Sequence, residues 1–180
     1  MIGVLVSGEG SNLQALLDHG VRVSCVASNK PGVRALVRAE AAGLPTAVFA
    51  LDAYATREAR DTAMADWLES HGVELVVLAG YMHLLRPCFL ERFRDRVINV
   101  HPALLPHFPG AHAIEEALAA GVRVTGATVH YVDDGIDTGP VIVQREVPVE
   151  DGDTVETLRA RIQAVEHELL PRVVRELCAR

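Results

Sequence analysis

The chain has 180 residues, of which 49% are hydrophobic and 23% are charged, as expected for a single soluble domain over residues 1–180 with a full core. The formal net charge of −7 argues against nucleic-acid binding, and no stretch of 18 uninterrupted apolar residues predicts a membrane-spanning helix. Three scattered cysteines and an N-terminus without a basic leader favour a reducing, cytoplasmic location.

The chain begins with the pattern of a strand, a turn and a helix. Residues 2–6 are a short apolar run that predicts a buried strand, and the glycine-containing turn 7–10 follows it. Ser11 and Gln14 have the spacing of a capping box at a helix start. Free N–H groups at such a helix start can bind an anion. Because Leu13 replaces the third glycine of the dinucleotide fingerprint, the pattern indicates a monophosphate rather than a nucleotide cofactor; a plain turn is the alternative.

The next segments alternate between strand and helix patterns. Strands are predicted over 21–27, 47–49 and 74–80, and helices over 32–42 and 56–70. Ala59, Ala63 and Trp67 have the helical spacing of an apolar face in the second of these helices. The alternation predicts an α/β fold with a doubly wound, mostly parallel sheet.

An apolar cluster, residues 81–85, follows the strongest predicted strand. It is either core or the wall of a pocket for a flat ligand. Arg86 and Pro87 then begin a short helix that is predicted to reach about Phe93.

Residues 97–101 carry the side chains that point most directly to chemistry. Because side chains of a strand alternate between its faces, Asn99 and His101 project together and Val100 projects the other way. Pro102 ends the strand. Ligands of open parallel sheets bind beyond the carboxyl ends of strands, so an amide and an imidazole lie where chemistry is expected. A structural histidine is the alternative reading.

The C-terminal part is predicted to contain a helix over 113–119 and strands over 124–132 and 141–147, the last of them favoured as antiparallel to its neighbour. Thr128 and His130 share one face of the first of these strands. The loop 133–140 between the strands carries three aspartates without the spacing of an EF-hand. It is either a solvated turn or a loop that returns one carboxylate to His101.

The last predicted helix begins after Asp153 as its cap, and Pro171 is a candidate kink. Its predicted buried stripe consists of Val155, Leu158, Ile162, Val165 and Leu169. Gln163 and Glu166 lie off that stripe and face the same way, so a solvated helix face is their default interpretation.

Four stretches in this order resemble the glycinamide ribonucleotide formyltransferases of purine biosynthesis, and the resemblance covers essentially the whole chain. They are Ser7-Gly8-x-Gly10-Ser11-Asn12-Leu13-Gln14-Ala15, Leu78-Ala79-Gly80-Tyr81-Met82, Asn99-Val100-His101-Pro102-Ala103-Leu104-Leu105-Pro106, and Gly126-Ala127-Thr128-Val129-His130-x-Val132 with Asp137-x-Gly139-Pro140 after it. Two departures are Ala103, where serine is common in that family, and His83, where arginine is common.

The resemblance implies a Rossmann-like formyltransferase fold and formyl transfer from 10-formyltetrahydrofolate to the amine of glycinamide ribonucleotide. It implies no metal, no nucleotide cofactor and no nucleic-acid or membrane partner, and it leaves monomer and homodimer open. The implied catalytic residues are Asn99, His101 and Asp137, and the implied ribonucleotide contacts are Gly10, Ser11, Asn12, Gln163 and Glu166. The implied folate contacts are Arg57, Met82, His83, Leu84, Leu85, Asn99, Asp133, Asp134, Gly135, Ile136 and Asp137.

Physical chemistry agrees with these roles. An oxyanion develops when an amine attacks a formyl carbon, and an amide N–H and a protonated imidazole both stabilise it. A carboxylate at Asp137 favours the imidazolium form of His101, which can pass a proton to the departing folate nitrogen. Two other functions keep the same residues: a formyltetrahydrofolate hydrolase, in which water replaces the amine, and a non-catalytic module that binds folate or phosphate. The related methionyl-tRNA formyltransferases carry an added RNA-binding domain, which the sequence does not contain.

Overall fold

The computed structural model describes residues 1–179 as an α/β protein with two compact units, Met1–Ile98 and the chain from Asn99 onward. The strands are β1 (Ile2–Val6), β2 (Val23–Ser28), β3 (Thr46–Val48), β4 (Leu75–Leu78), β5 (Val97–His101), β6 (Val124–Tyr131) and β7 (Val141–Pro148). The helices are α1 (Ser11–Asp18), α2 (Arg34–Ala41), α3 (Arg57–Ser70), α4 (Pro87–Leu90), α5 (Ala113–Ala119) and α6 (Val155–Cys178), with a 3₁₀ turn at Leu51–Ala53. The sheet order is β3-β2-β1-β4-β5-β6-β7.

The first unit has a parallel sheet. Strand β1 lies between β2 and β4, with Val4 opposite Val26 on one side and Val77 on the other. All three residues are fully buried, which explains the continuous apolar runs in these strands. The carboxyl ends of parallel strands meet at one edge, and Ser7 and Asn29 follow β1 and β2 there.

The second unit combines an antiparallel hairpin with helices. Strands β6 and β7 pair with Thr128 opposite Gln144, so the prediction of an antiparallel last strand is confirmed. Helix α6 packs on both strands and on α5. None of the helices within residues 1–179 is long and apolar enough to cross a membrane.

The predicted strands and helices are all present, with ends shifted by a few residues, and α5 has the predicted bounds. The predicted capping box at Ser11 is wrong. Helix α1 begins at Ser11 itself, and its N-cap is Gly10 in the left-handed region, at φ 73°. Ser11 is therefore one position too late to cap, and the Gln14 side chain instead donates to Asp18.

The predicted helix α3 is present, but the residues whose spacing indicated it do not form its buried face. Ala59 is exposed and Trp67 only half-buried, whereas the buried positions of the helix include Arg60 and Asp61. These two side chains neutralise each other, Nε of Arg60 lying 2.6 Å from Oδ1 of Asp61, so a charged pair occupies the core-facing side. Trp67 packs at the helix border on Phe49, at 5.9 Å between ring centroids.

Helix α6 departs from its prediction at the cap and at one buried position. Its N-cap is Thr154, which forms a capping box with Thr157, while Asp153 pairs with Arg161 at 2.7 Å. Glu166 is only 4% exposed, so the solvated face predicted for it is wrong. The helix continues through Pro171 to Cys178.

We predict that Gly126→Ala destabilises the second unit. A Cβ at Gly126 would overlap the carbonyl oxygen of Arg145 on β7 and approach Leu104 Cδ2 to 2.5 Å. Overpacking of this kind costs about 1–3 kcal/mol, so the thermal midpoint should fall by several degrees. Gly8→Ala is the matched control, because a Cβ there meets nothing within 4 Å. Equal midpoints for the two variants in thermal unfolding would contradict the packing at β6.

Candidate active site

The structure brings together three of the side chains that the sequence singles out. His101, at the end of β5, places Nδ1 3.4 Å from Oδ2 of Asp137. Asn99, two residues earlier on the same strand, places Nδ2 3.5 Å from Oδ1 of that carboxylate. His101 is buried, and Asn99 and Asp137 are half-buried. The predicted alternation of the strand and the predicted return of one carboxylate by the loop are therefore both seen.

The ring of His101 is oriented by acceptors on both sides. Nε2 lies 2.7 Å from the carbonyl oxygen of Phe108, and a carbonyl can only accept, so Nε2 carries a proton. Nδ1 faces the carboxylate of Asp137, where only a protonated nitrogen is favourable. A ring that carries a proton on each nitrogen can donate to both neighbours.

Several donor groups surround the carboxylate of Asp137. The backbone N–H of Gly110 donates to Oδ2 at 2.8 Å, and His130 Nε2 lies 3.6 Å from Oδ1. Burial alone would raise the pKa of the Asp137 carboxyl, but the contact with His130, the Gly110 N–H and the charges of His101 and His130 outweigh it and lower the pKa below the ordinary 3.8. Asp137 is therefore a carboxylate at neutral pH.

His130 belongs to this cluster, and the sequence interpretation gave it no role. Its Nδ1 lies 2.8 Å from the Tyr131 carbonyl and so carries a proton, and its Nε2 lies 3.3 Å from Nδ2 of Asn99. A neutral His130 accepts from Asn99, and a protonated one donates to Asp137. The available signal was its position on β6, on the same face as Thr128 and two residues from it.

Two loops hold the cluster in place. Phe108 and Asp137 both lie in the left-handed backbone region, at φ 52° and 53°, which side chains other than glycine seldom adopt. The loop before Asp137 is braced by Asp133, which accepts from Gly135 N and Thr138 Oγ1. Of the three aspartates in the loop, Asp137 is thus the one shown in contact with the histidines.

The segment after β5 is tied to the hairpin. Thr128 Oγ1 donates to the Ala103 carbonyl at 2.6 Å and accepts from the Leu105 N–H at 3.2 Å. Gln144 on β7 donates to the Leu105 carbonyl at 2.7 Å. These bonds fix the backbone directly beyond His101, which positions the imidazole.

In the first unit, the start of α1 has the features of an anion site. Gly10, the N-cap, has no side chain to cap the helix, and no acidic residue lies in the first turn. A Cβ on Gly10 would come within 2.6 Å of Ala35 Cβ, so only glycine fits there. Ser11 is half-buried and Asn12 is buried.

The remaining predicted contacts differ in exposure. Met82 and Leu84 are 57% and 49% exposed, whereas Leu85 is buried. His83 is half-buried and Arg57 is exposed. In the second unit, Asp134 and Ile136 are exposed, Asp133 and Gly135 are half-buried, and Gln163 and Glu166 on α6 are half-buried and buried. Within residues 1–179, no group of three or more His, Cys, Asp or Glu side chains could hold a metal ion.

An amide, an imidazole and a carboxylate at the end of a strand are groups that α/β enzymes use for general acid–base catalysis with oxyanion stabilisation. Residues 1–174 match the family model described as formyl transferase. The phosphoribosylglycinamide formyltransferase of Bacillus subtilis is 39% identical over 97% of this chain and 92% of its own length. The chain therefore belongs to the formyl transferase family.

Solved structures and longer proteins resemble the chain as well. Glycinamide ribonucleotide transformylase 1 from Symbiobacterium toebii is 48% identical, with a TM-score of 0.95 over 97% of this chain and 85% of that one. The trifunctional purine biosynthetic protein adenosine-3 of Bos taurus is 46% identical over 94% of this chain. The chain spans only 17% of that protein, and 13% of the counterpart from Chironomus tentans.

We predict that His130→Ala raises the pKa of Asp137, because burial remains and the contact with His130 is lost. The lowered pKa stabilises the folded wild type above about pH 4, and this contribution is lost as the pH falls through the folded pKa. The variant should therefore show a smaller loss of unfolding free energy between pH 5 and pH 2, as measured by urea denaturation. His130→Gln keeps an N–H donor and is the control. A wild-type pH profile in His130→Ala would contradict the assigned contact.

Proposed function

We propose that the protein transfers the formyl group of 10-formyltetrahydrofolate to the amine of glycinamide ribonucleotide, a step of purine biosynthesis. The contact of Asp137 with His101 and Asn99 carries this proposal, because it provides the oxyanion donors and the acid that formyl transfer needs. Membership of the formyl transferase family, and the name of the Bacillus subtilis relative that matches nearly end to end, support the choice of reaction and acceptor.

The reaction begins when the substrate amine attacks the formyl carbon. The C=O bond becomes a C–O⁻ bond, and a tetrahedral intermediate joins the two substrates. The amide N–H of Asn99 donates to this oxygen, and the His101 imidazolium does so when its Nε2–H exchanges the Phe108 carbonyl for the oxyanion. Each such donor is worth about 3 kcal/mol in related sites. Asp137 stabilises the imidazolium without giving up its own charge, because its pKa is lowered.

Collapse of the intermediate breaks the bond from the formyl carbon to the folate nitrogen. That nitrogen leaves with a proton supplied by His101, directly or through water, and the proton that the attacking amine loses returns to His101, which restores the imidazolium. The products are the formylated amine and tetrahydrofolate, so atoms and charge balance. In the structure, Nδ2 of Asn99 lies 3.3 Å from Nε2 of His130 and 3.5 Å from Oδ1 of Asp137. Both contacts are long, so an oxyanion can replace these acceptors.

Five residues are assigned to the ribonucleotide. Gly10, Ser11 and Asn12 bind its phosphate, because the start of α1 presents backbone N–H groups without a side-chain cap. Gln163 and Glu166 bind the rest of the ribonucleotide from α6. A buried carboxylate such as Glu166 suits hydroxyl or amine donors, which supports this assignment.

Two further segments are assigned to the formyl donor. The exposed apolar side chains of Met82 and Leu84 suit the flat pterin ring system, with His83 and Leu85 completing the segment. The loop from Asp133 through Asp134, Gly135 and Ile136 to Asp137 covers the donor near the reacting carbon. Arg57 provides a cation for the acidic tail of the folate, and Asn99 faces the formyl group.

The family model covers both units, which supports their working as one formyltransferase domain. We further propose a cytoplasmic enzyme that uses two small-molecule substrates, without a metal and without a nucleic-acid or membrane partner.

The proposal predicts the effect of changing the catalytic group. His101→Ala removes the acid and one oxyanion donor, and Asp137→Asn removes the charge that stabilises the imidazolium. Each should lower kcat by about two to four orders of magnitude, the range known for such groups, while the Kd for the ribonucleotide changes less than threefold.

Single-turnover assays with a labelled formyl donor and calorimetric binding of the ribonucleotide measure the two quantities. Glu176→Gln on α6 is the control, since Glu176 is exposed and forms a surface ion pair with Arg172 on the same helix. Wild-type rates in either catalytic variant would exclude the mechanism.

A further inference from the structure

A buried polar network in the first unit has no part in the reaction described so far. Its centre is Arg60 on α3, which is completely buried. Nε of Arg60 donates to Asp61 at 2.6 Å, and Nη1 donates to Nδ1 of His83 at 2.8 Å. The second oxygen of Asp61 accepts from the backbone N–H of Arg86 at 2.7 Å.

The network also reaches the beginning of the segment 82–86. Nε2 of His83 lies 3.2 Å from Nδ2 of Asn29. Ser7 Oγ donates to Oδ1 of the same amide at 2.5 Å. Ser7 Oγ in turn accepts from the backbone N–H of Met82 at 2.9 Å. The N–H groups at both ends of the segment, Met82 and Arg86, are thus held by buried or half-buried side chains.

Arg60 determines the protonation state of His83. A guanidinium only donates, so Nδ1 of His83 must present its lone pair, and the single proton of the ring lies on Nε2. This Nε2–H needs an acceptor, which the Asn29 amide provides when it turns its oxygen rather than its nitrogen toward the ring. The charges around the ring favour the neutral form. Burial and the charges of Arg60, Arg57 and Lys30 lower the pKa of His83 below its ordinary 6.5, against the opposing charge of Asp61, and Tyr81 packs edge-on at 6.1 Å.

A charged pair at this position costs free energy of desolvation. Apolar residues of similar size often stabilise a fold as well as a buried ion pair does, or better. In addition, Nη2 of Arg60 is buried without a hydrogen-bond partner. Stabilisation of the fold alone therefore does not explain why an arginine is buried at position 60, whereas control of the segment 82–86 does.

We propose that Arg60 is a positioning residue for formyl-donor binding: its buried guanidinium holds His83 as the neutral Nε2–H tautomer and, through Asp61, fixes the Arg86 end of the segment 82–86. The inference rests on the proposed function, because this segment is the surface assigned to the donor.

The decisive variant is the double substitution Arg60→Met with Asp61→Asn. It removes the two charges together and keeps an acceptor for the Arg86 N–H, so no unpaired charge is left buried. KM for 10-formyltetrahydrofolate should rise about tenfold, the order expected for one charge-assisted hydrogen bond, with kcat and KM for the ribonucleotide within twofold. Arg60→Lys keeps the charge and should recover part of the loss.

Arg92→Met is the matched control. Arg92 also bonds to α3, through Asp66 and Glu69, but it belongs to no part of the His83 network. All three kinetic constants should stay at their wild-type values in this variant. An unchanged donor KM in a folded double variant, or an equal rise in Arg92→Met, would overturn the proposal.

A spectroscopic readout separates the inference from the proposed function and from folding of the double variant. In ¹⁵N-histidine spectra of the wild type at pH 7, assigned with His83→Gln, His83 should be the Nε2–H tautomer. The Nδ1–H tautomer, or a protonated ring, would overturn the positioning role whatever the enzyme catalyses. A wild type without formyl transfer but with the Nε2–H tautomer would instead refute the proposed function alone.

Discussion

The carboxylate of Asp137 holds the candidate active site together. It faces Nδ1 of His101, lies within reach of the amide of Asn99, and accepts from the Gly110 N–H. The surrounding structure is arranged so that this charge persists: donors and positive rings outweigh burial and keep its pKa low. This charge lies beside one ring nitrogen of His101, whose other nitrogen is held by the Phe108 carbonyl. The acid and the oxyanion donors of the proposed reaction therefore depend on one carboxylate.

The backbone around that carboxylate is unusual for the same reason. Asp137 and Phe108 both occupy the left-handed region, which costs free energy for residues with a side chain. Bonds elsewhere offset this cost, such as those from Asp133 within the loop and from Thr128 to the segment after β5. The hairpin β6–β7 thus serves as a scaffold, and the loops attached to it place the reactive groups.

Strand alternation predicted the pairing of Asn99 with His101, and the aspartate-rich loop suggested a carboxylate partner, because both follow from local rules of spacing. Three features did not follow. Burial of Arg60 and Asp61 depends on a partner, His83, that is 23 residues away in the chain. The entry of His130 into the site depends on where the Asp137 carboxylate lies, 3.6 Å from its Nε2, and no local pattern specifies that position. The N-cap of α1 is Gly10 rather than Ser11, and Gly10 lies so close to Ala35 that a side chain would not fit. This packing is not visible in the local sequence, which predicted a capping box instead.

The most direct test of the account compares the loss of 10-formyltetrahydrofolate by the purified protein with and without glycinamide ribonucleotide. The account predicts turnover only when the ribonucleotide is present, with one formylated amine formed for each tetrahydrofolate released. Equal turnover without the ribonucleotide would contradict it and identify water as the acceptor, and no turnover in either case would leave a binding module without catalysis.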